Sequence, residues 1–136
     1  MASFRTGLDE IQPYPTLDGS EIRELMHPDQ HGVRNQSLAM ATVPPGTATL
    51  LHLHRLAEEL YHVLEGQGRM TLGSEEFPIR EGDTVLIRPG TPHRVENPGP
   101  GPLRLLCACS PAYRHEDTEL LEISDARQST NAAALL

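Results

Sequence analysis

The chain has no lysine and no tryptophan, and only two cysteines among its 136 residues. Without a lysine amine, Schiff-base and pyridoxal-phosphate chemistry are excluded. Cys107 and Cys109, one residue apart, are too few and too close together for a disulfide framework. No run of about 18 apolar residues occurs, and the opening MASFRTGLDE lacks the basic and apolar regions of a signal peptide. A cytoplasmic protein with no membrane partner is expected. Positive charge is scarce too. Eleven arginines stand against nineteen acidic residues, for a formal net charge of −8, and binding a nucleic-acid backbone needs a basic face. What the chain has in quantity is turn formers, eleven glycines and twelve prolines. These suit many short strands joined by tight loops better than long helices. The length fits one domain with one modest core.

Residues 1–20, with PYPTLDGS, read as an irregular leader carrying a short edge strand near Phe4. The barrel domain is expected over 21–115, and 116–136 as a tail. EIRELMH (21–27) fits either a helical turn or a strand. Strands are predicted at 37–43 (SLAMATV), 48–54 (ATLLHLH), 59–66 (ELYHVLEG), in RMTLG and EEFPI, and at 84–87, 93–97 and 103–110. Gly66-Gln67-Gly68 reads as a tight turn. Such short strands without a crossover helix predict an all-β fold, an antiparallel barrel or sandwich. The tail has room for a short helix over 117–124, and its polar, alanine-rich end is expected to fray.

The chemistry concentrates in GTATLLHLHRLAEELYHVLEG (46–66). Residues two apart on a strand share a face, so His52 and His54 leave one side of the sheet together. Glu58 and Glu59 open the return strand, and a third imidazole, His93, enters after the rigid turn RPGTP. His52, His54, Glu59 and His93 together form a donor set for one divalent transition-metal ion per chain: Fe, Mn, Ni, Zn, Co or Cu. The bland alternative is a pair of polar groups on a solvent face. A zinc site through Cys107 and Cys109 is a further alternative, but CxC lacks the usual two-to-four-residue gap, and in an apolar strand the cysteines suit the core. With Glu59 inward, Tyr61 and Val63 follow it, leaving Glu58 at the rim and His62 outside. Tyr61 is the candidate catalytic residue, a phenol able to hydrogen-bond substrate or Glu59, and a plain core aromatic is the other reading. Asn97 suits pinning backbone near a turn. Arg55, Arg88 and Arg94 lie near the ligands in sequence and are candidates for a basic mouth that takes an anionic substrate.

The stretch from Gly46 to Gly66, with His52, His54 and Glu59 at their spacing, resembles the first signature of the cupin superfamily. GDTVLIRPGTPHRVEN, with Gly82, Gly90, His93 and Asn97, resembles the second. The resemblance implies a double-stranded β-helix, or jelly roll, with the metal inside it. It gives the ligand role to His52, His54, Glu59 and His93, preferring Glu59 over Glu58. Arg88 stands where the family commonly has a proline, which bears on the turn and not on the ligands. Similar small cupins include dioxygenases, isomerases and epimerases, decarboxylases, lyases, and metal-free binders or sensors. An Fe(II)-type dioxygenase on a small, chelating, anionic substrate is the leading expectation. A metal-dependent isomerase or lyase follows, and a small-molecule sensor is the reading from another class. Edge strands and sheet faces need covering, so a homodimer is expected, with the leader and LRLLCACS as interface.

Overall fold

The computed structural model describes residues 4–15 and 20–122. Twelve strands form its frame: β1 (Tyr14–Pro15), β2 (Glu21–Met26), β3 (Ser37–Val43), β4 (Thr47–Ala48), β5 (His52–His54), β6 (Glu58–Glu65), β7 (Gln67–Leu72), β8 (Glu75–Arg80), β9 (Thr84–Ile87), β10 (His93–Asn97), β11 (Leu103–Ser110) and β12 (Thr118–Leu120). They pair antiparallel throughout, in two sheets. One runs β1-β2-β3-β11-β6-β9, and the other β12-β5-β10-β7-β8 with β4 also on β10. This is the antiparallel all-β fold that the spacing of short strands and turn formers predicts, in the jelly-roll form that the cupin resemblance implies. No helix of the described residues is long and apolar enough to cross a membrane.

Period-two alternation decides which side chains fill the interior. On β6, Glu59, Tyr61 and Val63 are buried while Glu58, Leu60 and Leu64 face outward. On β11, Leu103, Leu105, Cys107 and Cys109 are buried. Met70, Ile79 and Val95 meet them from the second sheet, so one apolar core lies between the sheets. Gly66 is where the chain passes from β6 in one sheet to β7 in the other, a crossing and not a hairpin. Its φ of +86° favours glycine, and a Cβ there would run into the Pro102 carbonyl. Asn97, 1% exposed, pins the neighbouring turn. Its Nδ2 donates to the carbonyls of Val43 (2.8 Å) and Gly101 (2.9 Å), and its Oδ1 accepts from Gly99 N–H at 2.8 Å. That is the pinning role its place beside a turn predicts.

Three local expectations change. The strand expected over 48–54 is broken into β4 and β5, because the Thr49 hydroxyl takes a place in the ladder and accepts Val95 N–H at 3.0 Å. The edge strand is not near Phe4, which lies in a bend and is 87% exposed. It is β1, whose Tyr14 pairs with Ile22, and a sheet edge tolerates Pro15. The helix expected over 117–124 gives way to β12 in its described part. Thr118, Glu119 and Leu120 pair with His54, Leu53 and His52. A lone turn of helix costs more to nucleate than it returns, while the open edge of β5 offers backbone partners at once. The end expected to fray lies outside the described residues.

Candidate metal centre

The site is assembled by register. His93 on β10 lies directly opposite His52 on β5, so alternation that turns one ring inward turns the other as well. His54, two residues along β5, follows His52. The rigid RPGTP turn is fastened to the same strand, Gly90 N–H donating to the His54 carbonyl at 2.7 Å. With the pairing of β10 to β4 and β5, this bond holds the distant segment that carries His93 against the histidine pair. The three rings are 0–3% exposed, with centroids 4.3 Å (His52–His93), 5.2 Å (His52–His54) and 5.5 Å (His54–His93) apart. One nitrogen from each ring lies within 4.8 Å of the others, a grouping that can chelate one metal ion. Glu59 reaches in from the opposite sheet, its Oε1 3.2 Å from His54 Nε2 and 3.4 Å from His93 Nε2.

The outer nitrogen of each ring is committed. His52 Nδ1 meets the Leu50 carbonyl at 2.7 Å and His93 Nδ1 the Thr91 carbonyl at 2.9 Å. A carbonyl only accepts, so both Nδ1 atoms carry the proton. His54 Nδ1 lies 3.0 Å from the Thr118 hydroxyl, whose own proton goes to the Arg114 carbonyl at 3.0 Å. That hydroxyl must accept here, and His54 is fixed in the same tautomer. Each neutral ring therefore presents a bare Nε2 lone pair to the interior, the arrangement a metal ligand requires. Burial, and then the neighbouring His93, push His52 down to about 3, so it is neutral at ordinary pH. Burial alone would raise the Glu59 pKa, but the imidazoles of His54 and His93 beside it outweigh that and hold the carboxyl well below its usual value. Nε2 of His52 and of His93 and Oε1 of Glu59 are buried without a hydrogen-bond partner. Such atoms are costly unless a cation satisfies them. The residues present fit a divalent ion.

The other residues singled out from the sequence fall as follows. Tyr61 is fully buried with its ring 5.7 Å from that of His93, inside the barrel as expected. His62 faces outward, its Nδ1 2.7 Å from the Thr84 hydroxyl. Cys107 and Cys109 are buried with thiols pushed well up, by burial first and by the Glu59 charge second. They are interior groups, and Cys109 Sγ donates to Glu59 Oε2 at 3.4 Å. The arginines do not form a basic mouth over the ligands. Arg55 and Arg94 pair instead with Glu119 (2.9 Å) and Glu122 (3.6 Å) beside β12, and Arg88 is exposed.

Beside Glu59 lies a narrow cavity of about 20 Å³, room for about one water, bounded by Tyr14, Glu24, Tyr113, Ser37, Cys107 and Cys109 among others. Tyr113 also packs edge-on against His54, centroids 5.7 Å apart. Sequence reasoning missed Thr118, Tyr14, Glu24 and Tyr113. Only the pairing of β1 and β12 brings two of them to the site, and no spacing motif announces that pairing.

Residues 39–109 match the cupin domain, more than half of the chain. The chain is 53% identical over 122 residues to an uncharacterized protein, MJ1618, of Methanocaldococcus jannaschii, covering 90% of this chain and 98% of that one. It is 31% identical over 121 residues to the polyketide synthase CurC of Streptomyces cyaneus, covering 85% and 78%. A predicted oxalate decarboxylase of Thermotoga maritima superposes with a TM-score of 0.69 at 25% identity, covering 76% and 96%. Two antiparallel sheets, three converging imidazoles and a family match over 39–109 agree, and the chain belongs to the cupin superfamily.

Proposed function

We propose that this chain is a metal-dependent enzyme acting on a small, oxygen-chelating molecule. One divalent transition-metal ion per chain would be held by Nε2 of His52, His54 and His93 together with Glu59. The observation that carries this reading is the fixed tautomer of all three rings, which leaves three Nε2 lone pairs and a carboxylate converging on one dry spot. A bound ion would supply Lewis acidity to chelated oxygen atoms and, if it were iron, redox chemistry as well. The protein's own part is to lock the rings, keep Glu59 ionised and exclude bulk water.

Non-oxidative chemistry, a decarboxylation, elimination or isomerisation, stands first. The cavity beside Glu59 is edged by the phenols of Tyr14 and Tyr113 and the carboxyl of Glu24, groups suited to moving protons. The likeness to a predicted oxalate decarboxylase and to a polyketide synthase supports a substrate that offers two oxygens to a metal. The dioxygenase expected from the sequence is the second reading. Its support is the donor set of three imidazoles and one carboxylate, which would leave room at the ion for one anionic oxygen of a substrate beside dioxygen. Loading the full chain in turn with Fe(II), Mn(II), Ni(II) and Zn(II), with and without oxygen, against oxalate, hydroxy acids and β-diketones separates the two. Turnover with zinc under anaerobic conditions is the expected result. Activity with iron alone, in step with oxygen uptake, would transfer the assignment to the oxygenase, and binding without chemical change would make the chain a sensor.

We also propose a homodimer. Leu60 and Leu86 are cross-strand neighbours on the outer face of the first sheet and are 42% and 41% exposed, with Leu64 at 40% beside them. Leu106 and Ala108, from the LRLLCACS strand, continue that face only half-buried.

A further inference from the structure

The interior face of the first sheet carries a second carboxyl. Glu24 on β2 lies opposite Ala39 on β3, which lies opposite Cys107 on β11. One row along, Ser37 pairs with Cys109, and Cys109 with Glu59 on β6. Glu24 and Glu59 therefore stand at the two ends of a floor made only of small side chains. Three strand spacings separate them, roughly 14 Å from backbone to backbone before the curl of the sheet. Glu59, 2% exposed and with its Oε1 lacking a hydrogen-bond partner, closes the inner end. At the outer end the Tyr14 phenol donates to the Glu24 carboxyl, and Tyr113 stands between this pair and His54.

We propose that this floor seats the far end of the substrate, and that Glu24, oriented by Tyr14, binds an uncharged hydroxyl group there and turns away a carboxylate or phosphate. The inference rests on the metal-dependent reading above and names the substrate class of that same site: a molecule with an oxygen-chelating head and a neutral, hydroxyl-bearing tail. None of the residues lining the cavity is basic, so an anionic tail within it would meet the carboxyls of Glu24 and Glu59 first. A hydroxyl, in contrast, donates to Glu24 and accepts from a phenol. Burial raises the pKa of Glu24 and that of the Tyr14 phenol, which keeps the phenol a donor across the working pH range. Tyr14 sits on the two-residue edge strand β1, where a shift of the whole strand that widens the cavity breaks few ladder bonds and keeps the phenol on Glu24.

Three catechols give the test. Catechol chelates but has no tail, 3,4-dihydroxybenzyl alcohol adds a neutral hydroxyl, and 3,4-dihydroxybenzoate adds a carboxylate. Each is titrated by calorimetry into the full, zinc-loaded chain. The alcohol should bind about tenfold more tightly than the benzoate, the size of one hydrogen bond to a charged group. Glu24→Gln should bring that ratio close to one. Tyr14→Phe, which keeps the ring, should shrink the ratio part of the way and stands in should Glu24→Gln fail to fold. A benzoate that binds as tightly as the alcohol, or a ratio that neither variant moves while catechol still binds, overturns this inference alone. A chain that takes up neither zinc nor catechol overturns the metal-dependent reading, and this one with it.

Discussion

Replacing Thr118 with valine should loosen the metal site from a residue that touches no ion. Its hydroxyl accepts the His54 Nδ1 proton at 3.0 Å and passes its own proton to the Arg114 carbonyl at 3.0 Å. Valine keeps the shape and removes both bonds. The imidazole loses what fixes its tautomer and orientation, and a fraction of the rings will carry the proton on Nε2, where it blocks a ligand. Loss of an outer hydrogen bond of this kind typically costs a factor of 10–100 in metal affinity. A buried donor stripped of its acceptor costs about 1–3 kcal/mol, and 1.4 kcal/mol is tenfold, so the two estimates agree. Competition for zinc against a chromophoric chelator would measure the effect on folded protein, with circular dichroism as the control for folding. Thr118→Ser should recover most of the affinity, because serine restores the hydroxyl but not the methyl. A valine variant that binds zinc like the parent would refute the reasoning that β12 sets the tautomer of His54.

Metal retention divides the ligands from the cysteines: His54→Ala or His93→Ala should release the ion on mild purification, while the double change of Cys107 and Cys109 to serine should keep about one ion per chain by elemental analysis. In light scattering at micromolar concentration the particle should have twice the 15.0 kDa of the chain, and Leu60→Glu should reduce it to one chain. Acid should destabilise the metal-free protein. His52 is held at about 3 against 6.5 in the free residue, so the unfolded chain takes up a proton that the folded one refuses. Its contribution is complete above pH 6.5 and is lost as pH falls toward 3. A melting temperature that stays flat from pH 7 to 4, or that falls equally in His52→Gln, would contradict this.

The parts of the molecule legible in the sequence are those governed by short periods. Alternation placed His52 with His54, and Glu59 with Tyr61 and Val63, on the inside, and the burial of β5 and β6 follows it. The polar Asn97 beside a proline-glycine run was readable as a backbone pin for the same local reason. Long-range pairing was not legible. TEL carries too few residues to declare itself a strand, and it becomes β12 only because β5 has an open edge for it. The dipeptide Tyr14–Pro15 sits among turn formers and becomes an edge strand because Ile22 stands opposite. The arginines misled for a related reason. Arg55 and Arg94 neighbour the ligands along the chain, but a strand sends neighbours to opposite faces, and β12 supplies their partners on the outer side.

The origin of each donor bears on how the fold and the site depend on one another. His52, His54 and His93 stand on β5 and β10 of one sheet, and Glu59 stands on β6 of the other. An ion held by all four would bridge the two layers at a point where no apolar side chain can. Glu59 Oε1 already lies 3.2 and 3.4 Å from Nε2 of His54 and His93, across the boundary between the sheets. A filled site would thus tie the two sheets together at a buried polar spot. The neighbouring floor of Ser37, Ala39, Cys107 and Cys109 is made of small side chains. The small cavity beside Glu59 likewise lies on the β2 side and not toward β9, where Val85 and Ile87 fill the interior. A ligand to an ion held by this cage would therefore approach past the wall of small residues, with its chelating atoms leading.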